Sequence, residues 1–288
     1  MKNTSYYILF TLFTCIFCSF DVERIPVIYM IGDSTMADKS LSGGNPERGW
    51  GQMFPGFLTP DIHVDNRALN GRSTRSFRNE GHWELVRKKL RKGDYVFIQF
   101  GHNDQKADTA RHSDVETDYK INLGKYIDET RKVGAIPVLF TPIVRRKFNP
   151  NGTLADTHGK YTDAVRTVAK EKQVLLIDLN KMSAGLLEKY GPEKSTSLFV
   201  WVEPGIYAAL PKGKQDNTHL NVRGARLIAR MVAEAIKETI PALAPHIVMY
   251  DYVVAKDGSG DFFTIQEAID AVPDFRKKGR TTIYIREG

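Results

Sequence analysis

The run Pro26-Val27-Ile28-Tyr29-Met30-Ile31, followed at once by Gly32-Asp33-Ser34-Thr35, decides how the rest of the chain is read. An apolar run without polar alternation suits a strand buried on both faces, as in a parallel sheet. The same texture returns at His63 to Ala68, Tyr95 to Phe100, Ile136 to Thr141 and Val174 to Asp178. Between these runs lie stretches with apolar residues at helical spacing, such as Val115, Tyr119, Leu123, Tyr126 and Ile127, then Tyr161, Ala164, Val165, Val168 and Ala169. Five strands alternating with helices predict an α/β domain of three layers, α/β/α, around a five-stranded, mainly parallel sheet.

A last amphipathic helix follows Asn221, with Leu227, Ile228, Met231, Val232, Ala235 and Ile236 on one face, and ends before Pro241. The domain is thus expected over 24–240. Pro241 and Pro245 discourage further helix and mark 241–250 as a linker. The texture then changes: a strand-like Tyr252-Val253-Val254-Ala255, a turn-rich 256–261, a short helical pattern through Ala271, and Thr281-Thr282-Ile283-Tyr284-Ile285. A module this small, 251–288, cannot bury a core of its own.

At the other end, Lys2 and an apolar stretch from Tyr6 to Phe20 precede the charged Asp21-Val22-Glu23-Arg24. This pattern predicts a signal peptide over 1–20 and export to the periplasm or beyond the cell. The stretch falls short of the ~20 residues of a bilayer-spanning helix, so stable membrane insertion is not expected. Both cysteines, Cys15 and Cys18, lie inside it, and a chain cut after Cys18 has no thiol for a disulfide, a zinc cluster or a nucleophile. Lipid attachment at one of them is the lesser alternative. The composition, 42% hydrophobic and 26% charged, is that of an ordinary globular protein. The net charge of +7 favours acidic partners without choosing among nucleic acid, anionic lipid and acidic polysaccharide.

Ligands of open parallel sheets bind beyond the carboxyl ends of the strands, near the point where strand order reverses. Three small polar clusters stand there: Gly32-Asp33-Ser34, Asn70-Gly71-Arg72 and Gly101-His102-Asn103-Asp104. A serine between a strand and a helix presents a hydroxyl where backbone N–H groups can face an oxyanion. The plainer reading of Ser34 is a helix cap. A nucleophilic serine needs a base and an orienter for that base, and Asp216-Asn217-Thr218-His219 offers both in one turn before the last helix. The plainer reading there is a surface turn with a capping Asp. Gly71 can present an unobstructed N–H and Asn103 a side-chain NH2; otherwise they are a turn glycine and a loop-closing amide. His102, Asp104, Asp216 and His219 are alternative metal ligands, although no paired-His helix or Cys cluster supports a metal. Glycine-rich dinucleotide and phosphate loops are lacking, so no cofactor is expected.

Taken together, Gly32-Asp33-Ser34, Gly71, Gly101-His102-Asn103-Asp104 and Asp216-x-x-His219 resemble, in order and spacing, the blocks of the SGNH (GDSL-type) hydrolases. Finer features are similar to the rhamnogalacturonan acetylesterases: Gly49-Trp50-Gly51-Gln52, Asn70-Gly71-Arg72-Ser73-Thr74-Arg75-Ser76, Thr141-Pro142-Ile143-Val144-Arg145-Arg146 and Asp216-Asn217-Thr218-His219-Leu220. The resemblance implies a flavodoxin-like fold, metal-free removal of O-acetyl groups from pectic polysaccharide, Ser34 as nucleophile, His219 as base and Asp216 as its orienter. It also implies an oxyanion hole of Ser34 N–H, Gly71 N–H and the Asn103 side chain, with Asp33 in a structural role.

The tail resembles the opening of the pectin methylesterases, from Val254-Ala255-Lys256-Asp257-Gly258-Ser259-Gly260-Asp261 through Gln266-Glu267-Ala268-Ile269 to Ile283-Tyr284-Ile285-Arg286-Glu287-Gly288. This implies an incomplete β-helix start without that family's catalytic aspartates. An acetylated, anionic pectic chain as partner gives Arg72, Arg75 and Arg78 a possible place in the substrate groove, the alternative being solvated or ion-paired helix residues. A broad esterase or lipase of the same superfamily, and a non-catalytic pectin-binding protein, are the competing functions.

Overall fold

The computed structural model describes residues 24–273 and 280–286. The expected signal peptide, with Cys15 and Cys18, lies outside the described residues. In chain order the elements are β1 (Val27–Gly32), α1 (Trp50–Met53), β2 (His63–Asn66), α2 (Thr74–Asn79), α3 (His82–Arg87), β3 (Tyr95–Gln99), α4 (Lys120–Lys132) and β4 (Ile136–Phe140). There follow α5 (Lys160–Glu171), β5 (Leu175–Ile177), α6 (Leu179–Lys194), β6 (Phe199–Val202), β7 (Lys214–Leu220) and α7 (Val222–Thr239). The tail holds β8 (Tyr252–Val254), α8 (Ile265–Asp270) and β9 (Ile283–Ile285).

The five predicted strands form one sheet in the order β2-β1-β3-β4-β5, with every neighbouring pair parallel. Successive side chains of a strand point to opposite faces, so the unbroken apolar run of β1 feeds two cores. Ile28 and Met30 join Phe97, Val138 and the Ile228, Val232 and Ile236 stripe of α7 on one face. Tyr29 and Ile31 join Val96, Ile98 and Leu139 with Leu123, Tyr126 and Ile127 of α4 on the other. Helices on both faces complete the three layers. Strand order reverses at β1, which has β2 on one side and β3 on the other. The three polar clusters therefore stand at the ends of three adjacent strands.

Some boundaries shift for physical reasons. The fifth strand shortens to Leu175–Ile177, because Asp178 turns its carboxylate back to accept from Lys181 N (3.2 Å) and caps α6. Asp216-Asn217-Thr218-His219, expected as one turn, lies within β7, the second strand of an antiparallel β6–β7 hairpin outside the main sheet. The stretch 241–250, expected as a linker, is packed onto the domain. Leu243 and Ile247 are buried in the α7 core, Thr59 N donates to His246 O (2.9 Å), and Val248 N donates to Phe57 O (3.0 Å).

In the tail, β8 pairs with β9 in parallel, and Thr264 and Glu267 form a capping box at the start of α8. Its buried Val253, Val254 and Ala255 lie at the join with the domain, where Arg226 of α7 pairs with Asp261 and donates to the carbonyls of Tyr250 (3.0 Å) and Asp251 (2.8 Å). Among the described residues of the tail, two three-residue strands and one helix do not by themselves build the expected β-helix coil. Among the described residues, no helix is long and apolar enough to cross a membrane.

Candidate active site

β1 ends in a turn that Asp33 holds from inside. Its Oδ1 accepts from Thr35 N (2.9 Å) and Thr35 Oγ1 (2.8 Å), and its carbonyl accepts from Met36 N and Ala37 N. Its Oδ2 accepts from His102 Nδ1 at 3.2 Å. Burial alone would push this carboxyl up, but the imidazole and the Thr35 donors outweigh it and bring it down to about 2. Ser34, at the tip of the turn, keeps only 8% of its surface exposed.

The Gly49-Trp50-Gly51-Gln52 motif is the seat of this turn. Trp50 N donates to Thr35 O (2.9 Å), Trp50 Nε1 to Gln99 Oε1 (2.7 Å), and Lys39 N to Gln52 Oε1 (3.0 Å). A side chain at Gly49 would bring its Cβ within 2.2 Å of Ala37 O, and one at Gly51 within 2.5 Å of Met36 O. Both glycines are there so that two backbones can touch.

Gly71 serves differently. Its φ is +76°, where L-residues are strained, while a Cβ would meet no atom within 4 Å. The turn after β2 thus needs glycine for its conformation, and Gly71 lines the cleft. Beside it, Asn103 Nδ2 donates to Arg72 O at 3.0 Å, which uses one of its two amide hydrogens and leaves the second. Asp104 is bound away from the cleft, accepting from Thr74 N (3.0 Å) and Thr74 Oγ1 at the start of α2, and burial pushes its carboxyl up to about 7.

Asp216 and His219 come from β7. In a regular strand, residues three apart point to opposite faces. Here the pairing jumps from Trp201↔Gln215 to Phe199↔Leu220, so β7 advances five residues while β6 advances two. Inside this bulge Asp216 Oδ1 accepts from Thr218 N (2.7 Å) and His219 N (2.9 Å), turning the carboxylate and the ring to the same side. His219 Nδ1 then lies 2.7 Å from Asp216 Oδ2, and His219 Nε2 lies 3.0 Å from Ser34 Oγ.

An ionised carboxylate only accepts, so Nδ1 carries the proton and Nε2 is left to accept from the Ser34 hydroxyl. Burial would raise the Asp216 carboxyl, but the donors from His219 and Lys214 hold it far below the usual range. Lys214 Nζ lies 2.9 Å from Asp216 Oδ2 and 3.5 Å from Glu47, which pairs in turn with Lys39 at 2.8 Å. This ladder was not foreseen from sequence, although Lys214 and Asp216 stand two apart in a strand and so share a face.

A cleft of about 420 Å³ is lined by Ser34, Gly71, Asn103 and His219, together with Glu47, His102, Lys106, Arg111 and Arg145. The structure thus brings the expected nucleophile, base and oxyanion donors to one place, with Asp216 behind His219. Arg72 and Arg75 do not line it. Arg72 pairs with Glu80 (2.7 Å) and donates to Asn70 O, Arg75 pairs with Asp118, and Arg78 pairs with Glu129 (2.6 Å) beneath the Tyr126 ring. The cause is that acids from neighbouring elements meet these guanidinium groups outside the cleft. The four alternative metal ligands fall into separate groups, His102 with Asp33, Asp104 with Thr74, and Asp216 with His219. No group of three or more candidate ligands forms among the described residues.

Residues 30–227 match the GDSL-like Lipase/Acylhydrolase family. Over 221 residues, 77% of this chain and 94% of the relative, the sequence is 40% identical to the rhamnogalacturonan acetylesterase RhgT of Bacillus subtilis (strain 168). The crystal structure of YxiM from Bacillus subtilis superposes with a TM-score of 0.64 at 29% identity, covering 74% of this chain and 56% of that one. A separate match, 54% identical over 41 residues, relates 14% of this chain to 7% of Pectinesterase 4 of Arabidopsis thaliana.

Proposed function

The chain belongs to the GDSL-like lipase/acylhydrolase family as a serine ester hydrolase, and from that premise we propose that it is an exported carbohydrate esterase. In this reading it removes O-acetyl groups from pectic polysaccharide of the rhamnogalacturonan type. The observation that carries the chemistry is the hydrogen-bonded file from Asp216 through His219 Nδ1 and Nε2 to Ser34 Oγ, at 2.7 and 3.0 Å, opening on the cleft. The substrate is supported by the 40% identity to an acetylesterase of rhamnogalacturonan. The expected signal peptide supports export, since a polysaccharide of this kind is met outside the cell.

In the mechanism, Ser34 Oγ attacks the acetyl carbonyl as its proton passes to His219 Nε2, and the ionised Asp216 stabilises the imidazolium. The oxyanion is received by the N–H groups of Ser34 and Gly71 and by the Asn103 amide. Collapse expels the sugar hydroxyl, which takes the proton from His219. Water activated by the same imidazole then cleaves the acetyl-serine and releases acetate. No metal or cofactor enters these steps. The segment 251–288 is, in this reading, a stretch with pectin methylesterase-like sequence, supported by the 54% identity over 41 residues to Pectinesterase 4, and it is assigned no second site.

Acetate and methanol release from native pectin and acetylated rhamnogalacturonan tests this. Acetate without methanol is expected, and Ser34→Ala should lower the rate by roughly 10⁴–10⁶-fold while leaving polysaccharide binding. Undiminished acetate release by that variant rules out the serine mechanism. Turnover confined to small aryl esters rules out the polysaccharide.

A further inference from the structure

Two buried aspartates near the nucleophile differ at one oxygen. Asp33 and Asp104 are both fully enclosed. Each offers its Oδ1 to the backbone N–H and the hydroxyl of one threonine, Asp33 to Thr35 at 2.9 and 2.8 Å and Asp104 to Thr74. Asp104 Oδ2 has no hydrogen-bond partner among the described residues, whereas Asp33 Oδ2 faces His102 Nδ1 at 3.2 Å. The two carboxyls separate accordingly. Burial pushes Asp104 up to about 7 against its Thr74 and Ser113 donors, while the imidazole, added to the Thr35 donors, brings Asp33 down to about 2.

The imidazole is itself fixed. An ionised carboxylate only accepts, so His102 carries its proton on Nδ1 and donates it to Asp33. The ring of His158 stands edge-on to it at 4.5 Å and 78°, and His158 Nε2 lies 2.8 Å from Ile143 O. Burial, Arg145 and His219 push His102 toward its neutral form, against Asp33. Two Asp–His pairs thus flank Ser34. Asp216–His219 leaves Nε2 open to the Ser34 hydroxyl, whereas His102 commits its proton to Asp33. Ser34 lies between Asp33 and Thr35 in the chain, so the carboxylate that joins these two neighbours sets the backbone around it.

We propose that His102 is a positioning residue: by donating Nδ1–H to Asp33 it keeps that carboxylate clamped on Thr35, and so keeps the Ser34 N–H and Oγ aimed as the pH falls. The charged and titratable groups around the pair are Arg145 after β4, Asp104 after β3, Tyr119 before α4, His158 before α5 and His219 in β7. All of them are common to the variants that test the role.

The test is the pH profile of kcat/KM for nitrophenyl acetate in three variants. Asn carries its amide nitrogen on Cγ, where histidine carries Nδ1, so His102→Asn keeps the donor. His102→Gln moves the nitrogen one bond further out, and His102→Leu removes it while filling much of the ring's volume. Without the donor the buried Asp33 carboxyl rises toward the state of Asp104, and activity that needs it ionised is lost as pH falls through the raised value. Between about pH 9 and about pH 6, Gln and Leu should therefore lose at least about tenfold more kcat/KM than the parent, an acid limb moved up by about one unit. Asn should restore the parent's limb. A merely structural role would lower Tm and leave the shape of the profile unmoved. Gln and Leu that follow the parent's limb, or Asn whose limb moves with theirs, overturn the role, and if one of Gln and Leu does not fold, the other is read against Asn. The inference rests on Ser34 as the nucleophile: undiminished turnover by Ser34→Ala would remove that reading, whereas unshifted profiles among active variants remove only the role of His102.

Discussion

Ser34 and His219 meet across the cleft at 3.0 Å, yet the two sides of that contact are held by different forces. On the nucleophile side, Asp33, Thr35 and Trp50 are almost wholly buried, and Gly49 and Gly51 let α1 press against the turn backbone. On the base side, a two-stranded hairpin outside the main sheet carries Asp216 and His219, whose side chains are 13% and 27% exposed. Phe199 and Leu220 anchor the hairpin in the core, while the ladder Asp216, Lys214, Glu47 and Lys39 holds the carboxylate behind the base. Packing places the nucleophile, whereas charge and a bulge place the base. Damage to the first should appear in stability, and damage to the second in rate.

The largest expected effect is that of Asp216→Asn. The amide oxygen can still accept from Thr218 N and His219 N, so the bulge survives, but the ring loses its ionised partner. The kcat should fall by about 10⁴-fold with a Tm close to that of the parent. A melting temperature that drops as far as the packing variant below would break the contrast. Gly49→Ala should be next, since its Cβ would fall 2.2 Å from Ala37 O. Overpacking of this kind costs roughly 1–3 kcal/mol, and the thermal midpoint should fall by several degrees. An unshifted melt would show that the turn gives way easily and that packing does not hold it. The smallest effect is that of Lys214→Gln, which removes one donor to Asp216. A roughly three- to tenfold loss in kcat, with Tm unchanged within about 1 °C, would sharpen the contrast. A loss in Tm instead would make the ladder a stabilising feature of the hairpin.

The parts of the site legible in the sequence are those whose geometry is local. Gly32-Asp33-Ser34 stands directly after a strand, and Gly71 stands where a tight turn must follow another. Asp216 and His219 were legible as a pair, but not as members of a strand, because the bulge that unites them depends on how β6 is paired. Lys214 was missed although strand alternation puts it on the face of Asp216. Arg72 and Arg75 illustrate the opposite error. Their position after Gly71 suggested the groove, and only the placement of Glu80 and Asp118 shows that they are spent on ion pairs. At 241–250, two prolines stop the helix without preventing Leu243 and Ile247 from entering the core.

By itself the sequence determined the α/β class, the order of the strands along the chain, and the residue types that stand at the strand ends. Hydrophobic period and turn chemistry are properties of neighbouring residues, so they can be read one segment at a time. Tertiary structure alone decided which cations face the cleft, that the tail and 241–250 lie against the domain, and that Asp216 and His219 point to one side. Each of these depends on a partner many residues away, and spacing along a chain does not say which distant groups will meet.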